Sequence, residues 1–174
     1  KKKQHNGLFI FSIKNKASLK TQKLTLEIDA DEEITLGLVR LAKQVPDYEL
    51  FYHLNTLNTF QFKRVNDLVF HGTYYDYYYP KFEAFHHDSK ICIHFIANKS
   101  DHSVLKKAST ELFANEGDTK FLLENYEDVD YIISTSEPFG DFSVILLPEN
   151  LMFQIQDFHL CPSAELYHLI QYYE

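Results

Sequence analysis

Alternation of apolar and polar residues predicts most of the strands in this chain. Leu24, Leu26 and Ile28 alternate with polar side chains, which is typical of a half-buried strand. The strands predicted in this way cover residues 23–29, 34–41, 60–65, 129–134 and 153–160. Gly37, inside the second strand, indicates close packing against a neighbouring element. Residues 142–147 fit either a short helix or a strand.

The clearest hairpin joins residues 82–86 to residues 91–97 through a polar four-residue turn, 87–90. Both arms alternate between apolar and polar side chains. In the register that this turn implies, Phe82 lies opposite Phe95.

Four potential metal ligands, His86, His87, Asp88 and His94, lie close together in this hairpin. The predicted register sends His86 and His94 to opposite faces, because side chains alternate along a strand. These two histidines therefore cannot chelate one ion, and we expect no metal site here. Glu83 lies opposite His94, and we interpret this cross-strand pair as structural.

Apolar residues at helical spacing predict three helices, over residues 46–58, 101–114 and 163–173. The first begins with Pro46 and Asp47, which suit the first turn and the cap of a helix. Strands outnumber helices, and the connections between strands are local. This pattern indicates an α+β fold, with an antiparallel or mixed sheet of about six to seven strands and two or three helices packed mainly on one face.

The lysine-rich residues 1–20 differ in composition from the rest of the 174-residue chain. They include six of its 17 basic residues and none of its 25 acidic residues. We expect a mobile or loosely docked basic leader over residues 1–20 and a single globular domain over residues 21–174. An acidic domain repels phosphate backbones and anionic lipids, so we expect its body to bind neither nucleic acid nor a membrane.

Motifs for common cofactors and catalytic sites are missing from the sequence. The glycines are widely spaced, so they cannot form a phosphate loop or a dinucleotide-binding turn. We therefore expect no cofactor and no catalytic residue. Cys92 and Cys161 lie in apolar contexts and are predicted to be small buried residues rather than a disulfide, which favours a cytoplasmic protein.

Asp128 and Asp130 would share one face of a strand. Paired carboxylates can bind a divalent cation or act as acid and base. The favoured interpretation is a solvated Asp128 and a structural Asp130 whose carboxylate is hydrogen-bonded. The alternative is a metal- or acid-dependent enzyme that uses both residues together with Glu124 or Glu127.

A run of tyrosines followed by a proline is the most unusual feature of the chain. Tyrosine is enriched in binding surfaces, where its ring supplies contact area at a low entropic cost. The candidate protein-binding residues are Tyr74, Tyr75, Tyr77, Tyr78 and Tyr79. Because a strand sends alternate side chains to opposite faces, we expect two or three of these rings to be at least partly exposed. The alternative is that the rings cover the open face of a sheet.

The segment Leu123–Tyr131 reads Leu-Glu-Asn-Tyr-Glu-Asp-Val-Asp-Tyr. It resembles the signature of an uncharacterised bacterial family named for its Ile-Pro-Glu-x-x-x-Val-Asp-Tyr motif, although Glu124 and Asn125 replace the proline and the glutamate. Pro46–Leu50 and Ile96–Ser100 look similar to that family as well. The residues that fit the motif, which we expect to be structural, are Leu123, Val129, Asp130 and Tyr131. The resemblance implies a small cytosolic protein and assigns no activity.

These features together favour a non-enzymatic protein-binding or adaptor module that uses its tyrosine-rich surface. Its partner would be another protein or a second copy of the chain, and a homodimer is the simplest assembly. A different partner would be basic, because the domain is acidic.

Overall fold

The computed structural model describes residues 33–106, 118–136 and 142–171. All of these residues belong to one unit, Asp31–Glu174. The predicted leader over residues 1–20 and the predicted strand over residues 23–29 lie outside the described residues.

Nine strands and two α-helices form the described part of the chain. The strands are β1 (Ile34–Val39), β2 (Lys63–Arg64), β3 (Leu68–His71), β4 (Tyr75–Tyr79), β5 (Lys81–His86), β6 (Ile91–Ala97), β7 (His102–Leu105), β8 (Tyr131–Thr135) and β9 (Gln156–Leu160). The helices are α1 (Asp47–Leu57) and α2 (Glu165–Gln171). A single 3₁₀ turn, Phe142–Val144, occupies the segment whose pattern fits a helix or a strand.

The strands form two sheets, and neighbouring strands within each sheet are antiparallel. The larger sheet has the strand order β2-β5-β6-β8-β1-β9, and the smaller sheet has the order β3-β4-β7. The predicted α+β class with an antiparallel sheet is confirmed. The sequence does not predict the smaller sheet, because β3 (Leu-Val-Phe-His) and β4 (Tyr-Asp-Tyr-Tyr-Tyr) lack a clear alternation of apolar and polar residues.

The helix predicted over residues 101–114 is wrong at its start. Its first residues form β7, which pairs with β4 and leaves Val104 exposed. Hydrogen bonding to a neighbouring strand therefore outweighs the helical spacing of the apolar residues in this segment. The rest of the predicted helix, from residue 107 onward, lies outside the described residues.

Helices cover both faces of the larger sheet. On one face, Leu50 of α1 packs in the same core as Val39 of β1. On the other face, Leu166 of α2 shares a core with Leu38 of β1 and Ile132 of β8. The sequence instead predicts helices mainly on one face. The difference arises because β1 and β8 are interior strands that are buried on both sides, which an alternating pattern does not indicate.

Neighbouring side chains pack closely against β1 at Gly37. A Cβ atom at this position would lie 2.8 Å from Cγ2 of Ile155 and 3.2 Å from Cβ of Ile133. The close packing that the sequence indicates at Gly37 is therefore confirmed, because a close-packed interior leaves no room for an added methyl group.

The hairpin of β5 and β6 has the predicted register. Phe82 lies opposite Phe95, and Glu83 lies opposite His94. The ring of Phe51 in α1 stacks on Phe82, with the ring centroids 3.7 Å apart. The hairpin is therefore the platform on which α1 packs.

The histidines of this hairpin have separate partners. Nε2 of His94 lies 3.0 Å from a carboxylate oxygen of Glu83. Nδ1 of His86 lies 2.7 Å from the hydroxyl of Ser89, and its ring lies edge-on to Phe60 in the α1 core. The two histidines thus point to opposite faces, as predicted.

The cysteines are less buried than the sequence predicts. Cys92 is half-buried, and burial raises the pKa of its thiol. Cys161 is exposed, so the prediction that it is buried is wrong. It directly follows the edge strand β9, where its sulfur accepts a hydrogen bond from the Ser163 hydroxyl at 3.3 Å.

We predict that His94 makes the stability of the fold depend on pH. Burial and the nearby Lys81 ammonium hold the pKa of His94 below its ordinary value of 6.5, although Glu83 acts in the opposite direction. The unfolded chain therefore binds this proton more readily than the folded chain, so stability falls as the pH drops below about 6.5. We expect His94→Gln to reduce that loss.

Urea unfolding at about pH 7.5 and about pH 5.5 measures this effect. His87→Gln, at the exposed turn of the same hairpin, is the control and should keep the wild-type loss of stability. An unchanged loss in His94→Gln would show that His94 does not carry the effect.

Candidate functional site

The tyrosines singled out in the sequence divide between two environments. Tyr77 and Tyr79 on β4 are buried, with 8% and 0% of their surface exposed, whereas Tyr74 is 73% exposed. Tyr75 and Tyr78 are half-buried. Some tyrosines of the run 74–79 therefore belong to the core, and others lie at the surface.

The buried tyrosines belong to the core behind the smaller sheet. The hydroxyl of Tyr77 donates a hydrogen bond to Asp118 at 2.7 Å, and burial together with this bond raises its pKa to about 12. Tyr79 packs with Leu68 and Ile96, and its hydroxyl has no hydrogen-bond partner within the described residues. Burial also raises the pKa of Tyr79. Neither ring is accessible to a partner in the folded chain.

The outer face of the smaller sheet carries Asp76 and Tyr78 of β4, whereas Tyr75 packs on the core side beside Tyr77. The ring of Tyr78 stacks on His102 of β7, with centroids 4.5 Å apart and an angle of 7° between the planes. Asp76 lies beside them, with a carboxylate oxygen 2.7 Å from Nδ1 of His71 and 3.0 Å from Nζ of Lys106. The hydrogen bond with His71, helped by Lys106, holds the pKa of Asp76 below its ordinary value.

The motif segment 122–131 is organised by one fully buried amide, Asn98. Its Nδ2 donates hydrogen bonds to the carbonyl oxygens of Tyr126, at 2.8 Å, and Val129, at 3.1 Å. Its Oδ1 accepts a hydrogen bond from the backbone N–H of Leu123 at 2.8 Å. One side chain therefore binds three backbone groups of a segment that has no regular secondary structure.

Backbone hydrogen bonds next to Asn98 extend this attachment. The N–H of Asn98 donates to the carbonyl of Asp130 at 2.9 Å, and its carbonyl accepts from the N–H of Leu122 at 2.8 Å. Two residues further on, Ser100 donates its N–H to the carbonyl of Lys120 at 2.9 Å and accepts from the N–H of Lys120 at 3.0 Å. The chain after β6 thus holds both ends of the motif segment.

Asp130 connects the motif to the end of β1. Its carboxylate accepts hydrogen bonds from the backbone N–H of Leu41 at 2.7 Å and from Nε2 of Gln44 at 3.2 Å. Its own N–H donates to the carbonyl of Val39 at 2.9 Å. The arrangement fixes the path of the chain where it leaves β1.

Asp128 has a different environment from Asp130. It lies in a turn before β8, and its side chain, 65% exposed, forms an ion pair with Nε of Arg40 at 2.5 Å. The hydrogen bond from Arg40 holds the pKa of Asp128 below its ordinary value. Asp128 and Asp130 therefore have separate partners. The part of the chain that the structure describes contains no group of three or more His, Cys, Asp or Glu side chains that could bind a metal ion.

Tyr131 connects the motif to α1. Its hydroxyl donates a hydrogen bond to Asp47, in the first turn of the helix, at 2.6 Å. Burial raises the pKa of Tyr131, and the Asp47 carboxylate adds to the effect. The remaining motif residues, Leu123 and Val129, are buried in the α2 core. Each of the four motif residues thus packs against, or forms a hydrogen bond with, another part of the fold.

A cleft of about 310 Å³, which the sequence does not predict, lies beside the motif segment. Its lining comes from β3, residues 120–126, the end of β9 and residues 164–169. Three aromatic rings line it, those of Phe70, Tyr126 and Phe158. These residues lie in distant parts of the chain, so no local pattern could have indicated the cleft.

Comparisons with protein-family models, with curated proteins and with solved structures find no match to this chain. None of the helices within the described ranges is long and apolar enough to cross a membrane. The local geometry is therefore the basis for any functional assignment.

We predict that Asp130→Ala destabilises the fold, whereas Asp128→Ala changes its stability little. Removing the Asp130 carboxylate leaves the Leu41 N–H without its acceptor, which costs about 1–3 kcal/mol. The Asp128–Arg40 pair is exposed to solvent, where ion pairs contribute little. Chemical unfolding of the two variants measures the difference. Equal stability of both variants would contradict a structural role for Asp130.

Proposed function

We propose that this protein is a non-enzymatic binding module that presents the outer face of its smaller sheet to another protein. The observation that supports the proposal is the exposure of large side chains on this sheet and directly before its central strand β4. Tyr74 and Val104 are 73% and 48% exposed, and the stacked rings of Tyr78 and His102 are part of the same surface. We call these four residues the outer-face patch.

Three members of the outer-face patch, Tyr78, His102 and Val104, lie on strands of a sheet whose opposite side is anchored in the core. Tyr77 and Tyr79 hold the strand from behind, and β3 and β7 pair with it on both sides. A partner would therefore meet rings that are already ordered, so little side-chain entropy is lost on binding. Aromatic side chains fixed in this way are the usual anchors of protein interfaces.

The composition of the chain favours a basic partner. Acidic residues outnumber basic residues by 25 to 17, so a partner of opposite charge would be attracted and the association would weaken at high salt. Self-association through the same patch is the simplest alternative assembly. A cytoplasmic location belongs to the proposal as well, and its support is the resemblance to the bacterial family together with two free cysteines.

An enzyme based on Asp128 and Asp130 has less support. Each carboxylate already has its own partners, Arg40 for Asp128 and the end of β1 for Asp130. A catalytic pair would need both groups to face one substrate.

The test compares two double variants that remove exposed side chains from different surfaces. Tyr74→Ser/Val104→Ser removes two members of the outer-face patch. Tyr48→Ser/Tyr52→Ser removes two rings from the outer side of α1 that are 77% and 68% exposed, and it serves as the matched control. Circular dichroism verifies the fold of both.

Native pull-down with mass spectrometry and light scattering then measure binding and self-association. We expect the patch variant to lose its basic co-purifying proteins, or its dimer mass, and the control to keep them. Losing a ring anchor costs about 1–3 kcal/mol, which weakens binding roughly 5- to 150-fold. A folded patch variant with the same partners and mass as the control would contradict the proposal.

A further inference from the structure

We infer that the cleft beside the motif segment is a binding site for an organic cation that carries an apolar chain. This site and the outer-face patch share no residues, so each proposal is tested independently of the other. The cleft volume, about 310 Å³, is at the lower end of the range for small-molecule sites.

The aromatic lining suits a cation. The rings of Tyr126 and Phe158 meet edge to face, with centroids 5.2 Å apart, and Phe70 contributes a third ring. Aromatic faces attract ammonium groups through the negative charge density of the ring. The protein itself contains an example at this place, because Nζ of Lys120 lies 4.9 Å from the centroid of the Phe70 ring.

The charges of the lining also favour a cation. Two carboxylates, Glu124 and Glu165, and one ammonium, Lys120, line the cleft. Lys120 is already neutralised, because its Nζ lies 2.9 Å from the Glu124 carboxylate. Glu165 is exposed and has no ion pair among the described residues. The lining therefore has a net negative charge that disfavours anions.

The apolar part of the lining indicates the rest of the ligand. Leu122, Leu160 and Leu169 are among the leucines that line the cleft, and no further charged side chain lines it. An alkyl chain would lie against these leucines, while its ammonium group would lie near the rings and Glu165. A fully polar cation would leave the leucines uncovered and gain less from binding.

The experiment compares three ligands that share a six-carbon chain and differ in charge. Hexyltrimethylammonium is the cation, 1-hexanol is uncharged and hexane-1-sulfonate is the anion. Each is titrated into the ¹⁵N-labelled full chain and followed by amide chemical shifts. We expect the cation to shift the amides of Tyr126, Phe158 and Ala164 and to bind at least tenfold more tightly than 1-hexanol, with the sulfonate weaker still.

Two variants test the chemistry of the site. Phe158→Leu removes a ring, and Glu165→Gln removes the carboxylate that has no ion pair, so each should weaken cation binding roughly three- to tenfold. Glu149→Gln, which removes an exposed carboxylate outside the cleft, should leave the affinity unchanged.

The inference is overturned if 1-hexanol or the sulfonate binds as well as the cation. Shifts that lie outside the cleft, or variants that bind with wild-type affinity, would overturn it too. The ligand series on the wild-type chain decides the question even if Phe158→Leu does not fold.

Discussion

A single buried amide, Asn98, is the interaction on which the rest of the structure depends. Before β8 begins at Tyr131, the motif segment has no regular secondary structure, so the backbone groups beside its buried residues, Leu123 and Val129, have no partners in a sheet or helix. A buried N–H or C=O without a partner costs about 1–3 kcal/mol. Asn98 supplies both a donor and an acceptor and satisfies groups at Leu123, Tyr126 and Val129. The asparagine amide offers two N–H donors and an acceptor oxygen from one position.

The attachment at Asn98 positions both surfaces for which binding is proposed. With the segment held in place, Asp130 reaches the end of β1 and Tyr131 reaches the first turn of α1. The same segment carries Tyr126 and Glu124 into the lining of the cleft. The chain before it contributes Asp118, which accepts the hydrogen bond from Tyr77 behind the outer-face patch. Structural residues therefore support the two surfaces without contacting a ligand themselves.

Local features of the sequence predicted local parts of the fold. The hairpin of β5 and β6 follows from alternation and a short polar turn, and α1 follows from its spacing after Pro46. The smaller sheet could not be predicted, because the segment of β7 has helical spacing and becomes a strand only beside β4. Because a strand sends alternate side chains to opposite faces, some tyrosines of this run had to be exposed, but the packing of one sheet face on the core decides which ones.

Local sequence features predict the candidate sites only in part, for the same reason. Asp130 was expected to be hydrogen-bonded, yet its partners, Leu41 and Gln44, lie far away in sequence. The role of Asn98 is not evident from the sequence, because an asparagine after a strand is ordinarily a turn residue. Its role depends on complete burial, which only the folded chain determines. The cleft combines four distant segments and has no local pattern at all.

The most direct test of this account is the stability of Asn98→Asp compared with that of Asn125→Asp. Both variants replace an amide by a carboxylate of the same shape, but Asn98 is buried, whereas Asn125 is exposed in the motif segment to which Asn98 binds. In Asn98→Asp a carboxylate oxygen would face the carbonyls of Tyr126 and Val129. The account predicts that urea unfolding shows a loss of about 3 kcal/mol or more for Asn98→Asp and little change for Asn125→Asp. Equal stability of the two variants would contradict it.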